Sequence, residues 1–242
     1  MKFLKIIFLL LLTQKSFSFD HTHSTWQKVL TENVHLKNKQ SLVDYKKIKS
    51  TPLDLNKYLM ELTSLSREEY DKFTREQKLS LMINAYNAFT IKLVVDHYPV
   101  KSIKDISTLF SSAFKKDFFT FLGHQRNLDW IEHEVIRKKF KEPRIHFALV
   151  CASISCPNLQ AKAFTEKNLE SLLQSSATYF INNTNKNDYK DGTLYLSKIF
   201  KWYRLDFKGL IPFIKKYSKK KEMTKDTPIS WLNYNWDLNE WK

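Results

Sequence analysis

Residues 74–97 of the chain read TREQKLSLMINAYNAFTIKLVVDH, and this stretch predicts a strong helix. Thr74 followed three residues later by Gln77 is typical of a capping box, in which each side chain satisfies a backbone amide at the helix start. The pattern stops before Pro99, because the residue that precedes a proline disfavours helical geometry. The apolar positions follow helical spacing and are Leu79, Met82, Ile83, Tyr86 and Leu93. They predict one apolar stripe that faces the core.

The sequence around this helix predicts a single α+β domain, rich in helix, around a small antiparallel sheet. Further helices are predicted at 26–48 (one or two), 55–62, 129–139 and 165–182. Strands are predicted at 118–122, 126–128, 144–151, 194–196 and 229–241. The run at 144–151 is the best-defined strand, and the aromatic tail at 229–241 is expected to pack on the core. No repeat or linker divides the chain, so a helical segment at 19–73 is expected to pack on a core domain at 74–242.

The first 18 residues have the features of a signal peptide. Lys2 and Lys5 precede an apolar run at 6–12, and Ser16 and Ser18 place small residues where signal peptidase cleaves. This run is shorter than the ~20 residues that cross a bilayer, and no later stretch approaches that length. An N-terminal anchor helix is the alternative. The sequence therefore predicts a periplasmic or secreted protein without a transmembrane segment.

Composition excludes several classes of protein. The 3 glycines are too far apart for a phosphate loop, a dinucleotide fingerprint or a nucleophile elbow. The 2 cysteines exclude a disulfide-rich scaffold and a four-cysteine zinc site. No cofactor and no metal are predicted, and the one alternative is copper or nickel binding by Phe19-Asp20-His21 if cleavage exposes that terminus.

The charge of the chain favours an anionic partner. Lys+Arg number 40 against Asp+Glu 25, which gives a net charge of +15. Lysines crowd at 215–221, where they predict a solvated helix face. Nucleic acid is not expected as a partner, because no zinc finger, basic zipper or RNA-binding motif accompanies the charge. An anionic component of the cell envelope, or a peptide or protein substrate, is the expected partner.

Four motifs and the tail together resemble the domain-of-unknown-function 547 family. The motifs are NAYNA at 84–88, DWIEH at 129–133, IHFALVCAS with SCP at 145–157, and SKIFKWY with DF at 197–207. The tail at 234–239, YNWDLN, is similar to the family's tyrosine-aspartate-tryptophan-serine-leucine-asparagine ending. The resemblance covers about residues 74–239. The order of elements is also similar to papain- and transglutaminase-like folds.

The third motif contains a candidate nucleophile. Thiolate catalysis needs a cysteine, a nearby imidazole that takes its proton, and a group that orients the imidazole. The resemblance favours Cys151, since the family pattern tolerates serine at position 156. His146 or His133 is the expected base, with Asn84, Asn87 or Glu132 as the orienting group. On a regular strand His146 and Cys151 point to opposite faces, so His146 reaches Cys151 only if the strand ends or bulges near Val150.

Two other interpretations of Cys151 remain open at this stage. A disulfide between Cys151 and Cys156 is one, because an oxidising periplasm permits it. The other is a small buried apolar residue, which is common for free cysteine.

Further polar and aromatic residues of the motifs are candidates for substrate binding. They are Asn84, Asn87, Ser153, Ser155 and Trp202. For the asparagines, the alternative is a structural link between the helix and a neighbouring loop, because a buried amide must be hydrogen-bonded.

Two functions follow from these residues. The first is a thiol-dependent hydrolase or acyltransferase that acts on amide bonds in envelope peptides or proteins. The second is a non-catalytic binding module of the cell envelope with a basic surface.

The leader generates one testable prediction. Protein recovered from the envelope fraction of the producing cell is expected to begin at Phe19, because cleavage follows Ser18. N-terminal sequencing and intact mass measure this directly. A mass that retains Met1 would contradict both the cleavage and the copper alternative.

Overall fold

A computed structural model describes residues 18–108 and 111–242, and in it a long helix with a buried central part is surrounded by shorter helices and small sheets. The predicted signal peptide, apart from Ser18, lies outside the described residues.

The described residues form helices and strands in the following order along the chain. The α-helices are α1 (Ser24–Asn33), α2 (Tyr45–Ser50), α3 (Leu53–Ser64), α4 (Arg67–Asp71), α5 (Arg75–His97), α6 (Leu169–Asn182), α7 (Lys198–Trp202) and α8 (Leu210–Tyr217). The strands are β1 (Val34–Lys37), β2 (Gln40–Val43), β3 (Phe119–Phe121), β4 (His124–Arg126), β5 (Asp188–Lys190), β6 (Thr193–Leu196) and β7 (Ile229–Trp231). A π-helix spans Trp130–Phe140, and turns of 3-10 helix include Pro143–Phe147 and Arg204–Phe207.

The central helix α5 begins as predicted. The Thr74 side chain accepts a hydrogen bond from the Gln77 amide, and the Gln77 side chain accepts one from the Thr74 amide, so the capping box is confirmed. The helix is buried on all sides from Leu79 to Ile91, however, and not along one stripe. It packs against α2, α3 and the π-helix, and a helix enclosed in this way needs no polar face.

The segment at 34–43, predicted as helix, forms a hairpin instead. Strands β1 and β2 pair antiparallel, with Lys37 opposite Gln40. Asn38 and Lys39 make the turn with φ values of 50° and 65°, the left-handed conformation that two-residue hairpins require. Lysine at the second position, where glycine is usual, hides the turn in the sequence.

The prediction of a strand at 144–151 is wrong. Its first half is a 3-10 helix with Pro143 at the start, where the Glu142 side chain accepts a hydrogen bond from the Arg144 amide. Residues 145–150 are buried without pairing to a strand, and this turn packs against α6. A short apolar run does not distinguish a buried strand from a buried turn, which is why the sequence misled.

Three small sheets surround the helices and confirm the α+β class. The hairpin of β3 and β4 is the one predicted around Gly123. Strands β5 and β6 pair antiparallel, while β7 pairs parallel with β6, so this three-stranded sheet is mixed and not purely antiparallel.

The tail packs on the core, as predicted. Isolated bridges join Ser102 to Asp237, Ser153 to Leu238, and Val43 to Glu240. Its buried side chains are Leu238 and Asn239, and Asn239 accepts a hydrogen bond from the Tyr45 hydroxyl at 2.8 Å.

The N-terminal segment belongs to the same core as the rest of the chain. Phe19, Trp26 and Tyr58 lie in one buried cluster with residues of α5 and with Leu238.

Among the described residues, no helix combines the length and apolar character needed to cross a membrane.

The buried His23 makes the stability of this segment depend on pH. Its Nδ1 lies 2.8 Å from the Tyr58 hydroxyl, and burial lowers its pKa to about 4. Between pH 6.5 and 4 the unfolded chain therefore binds a proton that the folded chain refuses. The free energy of unfolding should fall by about 3 kcal/mol through His23 as the pH falls from 7 to 4.

Urea unfolding of wild type and His23→Gln over this pH range measures the effect. The variant should lose this part of the pH dependence, and the exposed His124→Gln should keep it. Equal pH dependence in all three proteins would contradict the assignment.

Candidate functional site

Five of the nine predicted site residues line one cleft with a volume of about 210 Å³. The predicted residues that line it are Glu132, His133, His146, Cys151 and Trp202. They come from the π-helix, the 3-10 turn, the loop after it, and the end of α7. The strand that was expected to separate His146 from Cys151 is absent from these residues, so the geometric objection to their sharing a cleft does not apply.

His146 is held by a carboxylate. Its Nε2 donates a hydrogen bond to Asp206 Oδ2 at 2.7 Å, and its ring stacks on Tyr203 with centroids 3.9 Å apart. Burial lowers the pKa of His146 below its usual value, against the opposing effect of Asp206. The imidazole is therefore neutral at pH 7, with the hydrogen on Nε2 and a basic lone pair on Nδ1.

Arg137 completes this network from the π-helix. Its Nε and Nη2 donate to the two oxygens of Asp206 at 2.7 and 2.9 Å, a bidentate pair of planar groups. The hydrogen bond from His146, together with the Arg137 guanidinium, holds the pKa of Asp206 well below its usual range. Asp206 therefore stays ionised and fixes the orientation of His146.

Glu132 is buried at the base of the cleft, with 7% of its surface exposed. The hydroxyls of Tyr86 and Tyr203 lie beside its carboxylate, and the pKa of each phenol is raised by burial and by the Glu132 charge. Hydroxyl donors at this position supply the hydrogen bonds that a buried carboxyl group needs.

The π-helix explains how Glu132 and His133 reach one cleft. Adjacent residues of a regular α-helix point about 100° apart, which would direct Glu132 and His133 away from a common cleft. Hydrogen bonds from i to i+5 put more residues in each turn, so adjacent side chains diverge less. His133 accepts a hydrogen bond from Arg137 at 2.9 Å and lies 3.4 Å from Asp129. Its nitrogens are thus directed at the π-helix itself, and His146 is the better-placed base.

Cys151 and Cys156 are joined in a disulfide, with their Cα atoms 5.9 Å apart. Of the three interpretations of Cys151, the structure shows this one. Cys151 Sγ also lies 3.1 Å from both the Ser153 hydroxyl and the Tyr234 hydroxyl. The disulfide is half-exposed at Cys151 and forms part of the cleft wall.

The loop that carries the disulfide is fixed from several sides. The buried Lys186 ammonium donates to the carbonyl oxygens of Ile154 and Cys156. Burial lowers the pKa of Lys186 to about 7. Ala152 adopts φ 55°, a left-handed conformation that costs about 1 kcal/mol or more for a residue with a Cβ. The surrounding hydrogen bonds hold this strained turn in place.

Asn84 and Asn87 do not line the cleft, which corrects their placement as substrate-binding residues. Asn84 donates to the Phe164 carbonyl at 2.7 Å and accepts from the Phe164 amide at 3.0 Å. Asn87 does the same for the Ala148 carbonyl and the Val150 amide, at 2.9 and 3.0 Å. Their amides are fully used in the structural link that the sequence left open as the alternative.

Ser153 and Ser155 also lie outside the cleft lining. Ser153 is fully buried behind Cys151, and the Ser155 hydroxyl accepts a hydrogen bond from the Asn235 amide at 2.8 Å. Both serines attach the disulfide loop to neighbouring backbone or side chains. Like Asn84 and Asn87, these serines stabilise the loop and do not face a ligand, because the irregular backbone here needs hydrogen-bond partners.

Trp202 does line the cleft and belongs to an aromatic group at its rim. Its ring centroid lies 4.8 Å from that of Tyr234 and 5.9 Å from that of Trp236, and those two lie 4.7 Å apart. We call Trp202, Tyr234 and Trp236 the aromatic trio. Trp202 is 47% exposed, so the trio presents open ring surface to solvent.

Several residues that line the cleft or support His146 were not singled out as site residues from the sequence. Tyr86, Tyr203 and Asp206 lie inside the quoted motifs, where their aromatic or acidic character could have marked them. Helix α7 ends at Trp202, and the following turn directs Asp206 to Arg137. Arg137 lies outside the motifs, and nothing in the sequence marked it as a site residue.

In the part of the chain that the structure describes, no three His, Cys, Asp or Glu side chains are grouped so that they could hold a metal ion.

Loss of the Asp206 charge should destabilise the fold. Asp206→Asn weakens the acceptor for Arg137 and His146, and we expect a loss of about 1–3 kcal/mol in the free energy of unfolding. Arg137 and Asp206 keep 29% and 24% of their side-chain surfaces exposed, so solvent limits the effect.

Urea unfolding of the oxidised protein at pH 7 measures this loss. Asp188→Asn removes the exposed partner of Lys220 and is the control, with an expected change within about 0.5 kcal/mol. Equal effects of the two substitutions would show that the Asp206 network does not stabilise the fold.

Comparison with known proteins identifies one family whose model matches part of the chain. The model of the family described as "Protein of unknown function, DUF547" matches residues 70–181, from α4 to the end of α6. This region contains the first three motifs, including Glu132, His146 and Cys151. Neither the curated proteins nor the solved structures gave a match. The resemblance of this chain to the DUF547 family is therefore confirmed over residues 70–181.

Proposed function

We propose that the chain is a thiol-dependent hydrolase or acyltransferase that acts on amide bonds in envelope peptides or proteins. The observation that supports this is the Asp206-oriented imidazole of His146, which shares one cleft with Cys151. An imidazole held in one tautomer by a carboxylate is the base that a cysteine nucleophile needs.

The disulfide makes this proposal conditional on reduction. An external dithiol attacks the Cys151–Cys156 bond, is itself oxidised to a disulfide, and leaves two thiols on the protein. Cys151 is half-exposed and Cys156 is buried, so Cys151 is the sulfur that such a reagent reaches. The oxidised structure is then the resting form of the enzyme.

In the reduced form, each residue has a defined task. His146 accepts the proton of the Cys151 thiol, and the thiolate sulfur attacks the carbonyl carbon of the amide. The C–N bond breaks as His146 returns the proton to the leaving amine. Water then hydrolyses the thioester, or a second amine takes the acyl group. The Tyr234 hydroxyl, 3.1 Å from Cys151 Sγ, is available to donate to the thiolate or to the developing oxyanion.

Export is part of this proposal. The leader at 1–18 and the excess of basic residues support an envelope protein that contacts an anionic component. Exposed lysines at the end of α8 and after it, Lys216, Lys219, Lys220 and Lys221, support such a contact surface.

A non-catalytic binding module of the envelope is the second candidate. The disulfide favours it, because in the oxidised form neither cysteine is free and the cleft is a crosslinked, hydrogen-bonded cavity. The two candidates differ in whether Cys151, once released, reacts as an activated thiol.

Alkylation kinetics separate the two functions before any substrate is identified. Cys156→Ser frees Cys151 without a reductant. We expect iodoacetamide to modify Cys151 in this variant with a pH midpoint at least one unit below the ~8.5 of an ordinary thiol. Adding His146→Ala should return the midpoint towards 8.5, because the base is lost.

Thiol counting and acyl transfer complete this test. Unreduced wild type should contain no free thiol, and reduced wild type should hydrolyse p-nitrophenyl acetate in a reaction that Cys151→Ser abolishes. His124→Ala, at an exposed position, is the control for histidine substitution. A Cys151 midpoint near 8.5 that does not respond to His146→Ala would exclude the enzyme and leave the binding module.

A further inference from the structure

The cleft has an electrostatic character opposite to that of the whole chain. Lys and Arg outnumber Asp and Glu by 40 to 25 in the sequence, yet none of the described residues that line the cleft is Lys or Arg. Its lining includes two carboxylates, Asp129 and Glu132. A cleft lined by carboxyl groups, and by no lysine or arginine among the described residues, is suited to a ligand that carries positive charge.

Glu132 takes part in none of the ion pairs of the described residues. Among the described residues, no nitrogen of Lys, Arg or His lies within 4.0 Å of its carboxylate, although Arg137 on the same π-helix pairs with Asp206. The hydroxyls of Tyr86 and Tyr203 lie beside it. An incoming ammonium group would give this buried carboxyl group the cationic partner that the described residues do not place within 4.0 Å of it.

The aromatic trio offers a second attraction for a cation. The faces of Trp and Tyr rings carry negative charge density, and a cation within about 6 Å of a ring centroid is attracted to it. One face of Trp236 already shows this behaviour, since Lys104 Nζ lies 4.2 Å from its centroid. Trp202, at the rim of the cleft, has nearly half of its surface free for such a contact.

The size of the cleft limits the ligand group. Its volume of about 210 Å³ is below the ~300–1,000 Å³ of sites that enclose a drug-sized molecule. A single long side chain fits this limit better than a whole small-molecule ligand. An apolar stem along the rings with an ammonium group towards Glu132 would satisfy both parts of the lining.

We infer that the cleft recognises a primary ammonium group on an aliphatic stem, so that its substrates are peptides or amides with a lysine-like side chain. As a statement about substrates, this inference rests on the proposed function. As a statement about binding, it applies to the oxidised protein, in which the thiol chemistry is blocked.

Calorimetric titration of oxidised wild type tests the inference without turnover. The probes are Nα-acetyl-L-lysine methylamide and its uncharged counterpart, Nα-acetyl-L-norleucine methylamide. We expect the lysine probe to bind at least about tenfold more tightly, because only it brings a charge to Glu132 and the rings.

Two variants assign the selectivity to the residues named above. Glu132→Gln should remove most of the preference for the lysine probe while leaving binding of the norleucine probe unchanged. Trp202→Ala should weaken both probes. Glu134→Gln, two residues along the same π-helix and paired with Lys138 at the surface, is the matched control and should bind as wild type does.

The outcomes separate this inference from the proposed function. Equal affinity for the two probes, no binding of either, or a preference unaffected by Glu132→Gln would overturn the inference, whatever the alkylation kinetics show. A lysine preference that depends on Glu132 would support it, even if Cys151 proves unreactive, in which case the cleft belongs to the binding module.

Discussion

The candidate site depends on hydrogen bonds from two asparagines of α5 to the irregular backbone that follows His146. Residues 148–164 contain no strand, yet much of this stretch is buried and its amides and carbonyls need partners. Asn84 and Asn87 each bind one carbonyl and one amide of it from the central helix. Because Asn87 holds Ala148 and Val150, it fixes the backbone between His146 and Cys151.

The elements that the sequence predicts well are those with local signals. The capping box, the end of α5 before Pro99 and the hairpin at Gly123 each depend on neighbouring residues, and the structure confirms all three. The prediction of a strand at 144–151 was wrong, because the conformation of residues 145–150 is determined by their surroundings and not by their own sequence pattern. The site was predicted as a set of residues from motifs, but the Arg137–Asp206–His146 network joins positions far apart in the chain, so only the fold reveals it.

The polar groups in and beside the cleft are of two kinds: some are ion-paired with each other, and Glu132 is not. The opposite charges of Asp206 and Arg137 compensate each other, and His146 is neutral. These three residues together therefore contribute little net charge near the cleft. Glu132 forms no ion pair with the residues that the structure describes, and the hydroxyls of Tyr86 and Tyr203 lie beside it. The first arrangement suits an orienting role, and the second suits recognition.

The position of the tail has a consequence for the order in which the chain matures during its synthesis. Tyr234 and Trp236 form one wall of the cleft, and the residues just after them bridge to Ser153 and Val43. A chain that emerges from the ribosome in order exposes Cys151 and Cys156 well before these last residues. The cysteines therefore pair, or remain reduced, in a cleft that is still open, and the later arrival of Tyr234 and Trp236 closes the wall over whichever state they have reached.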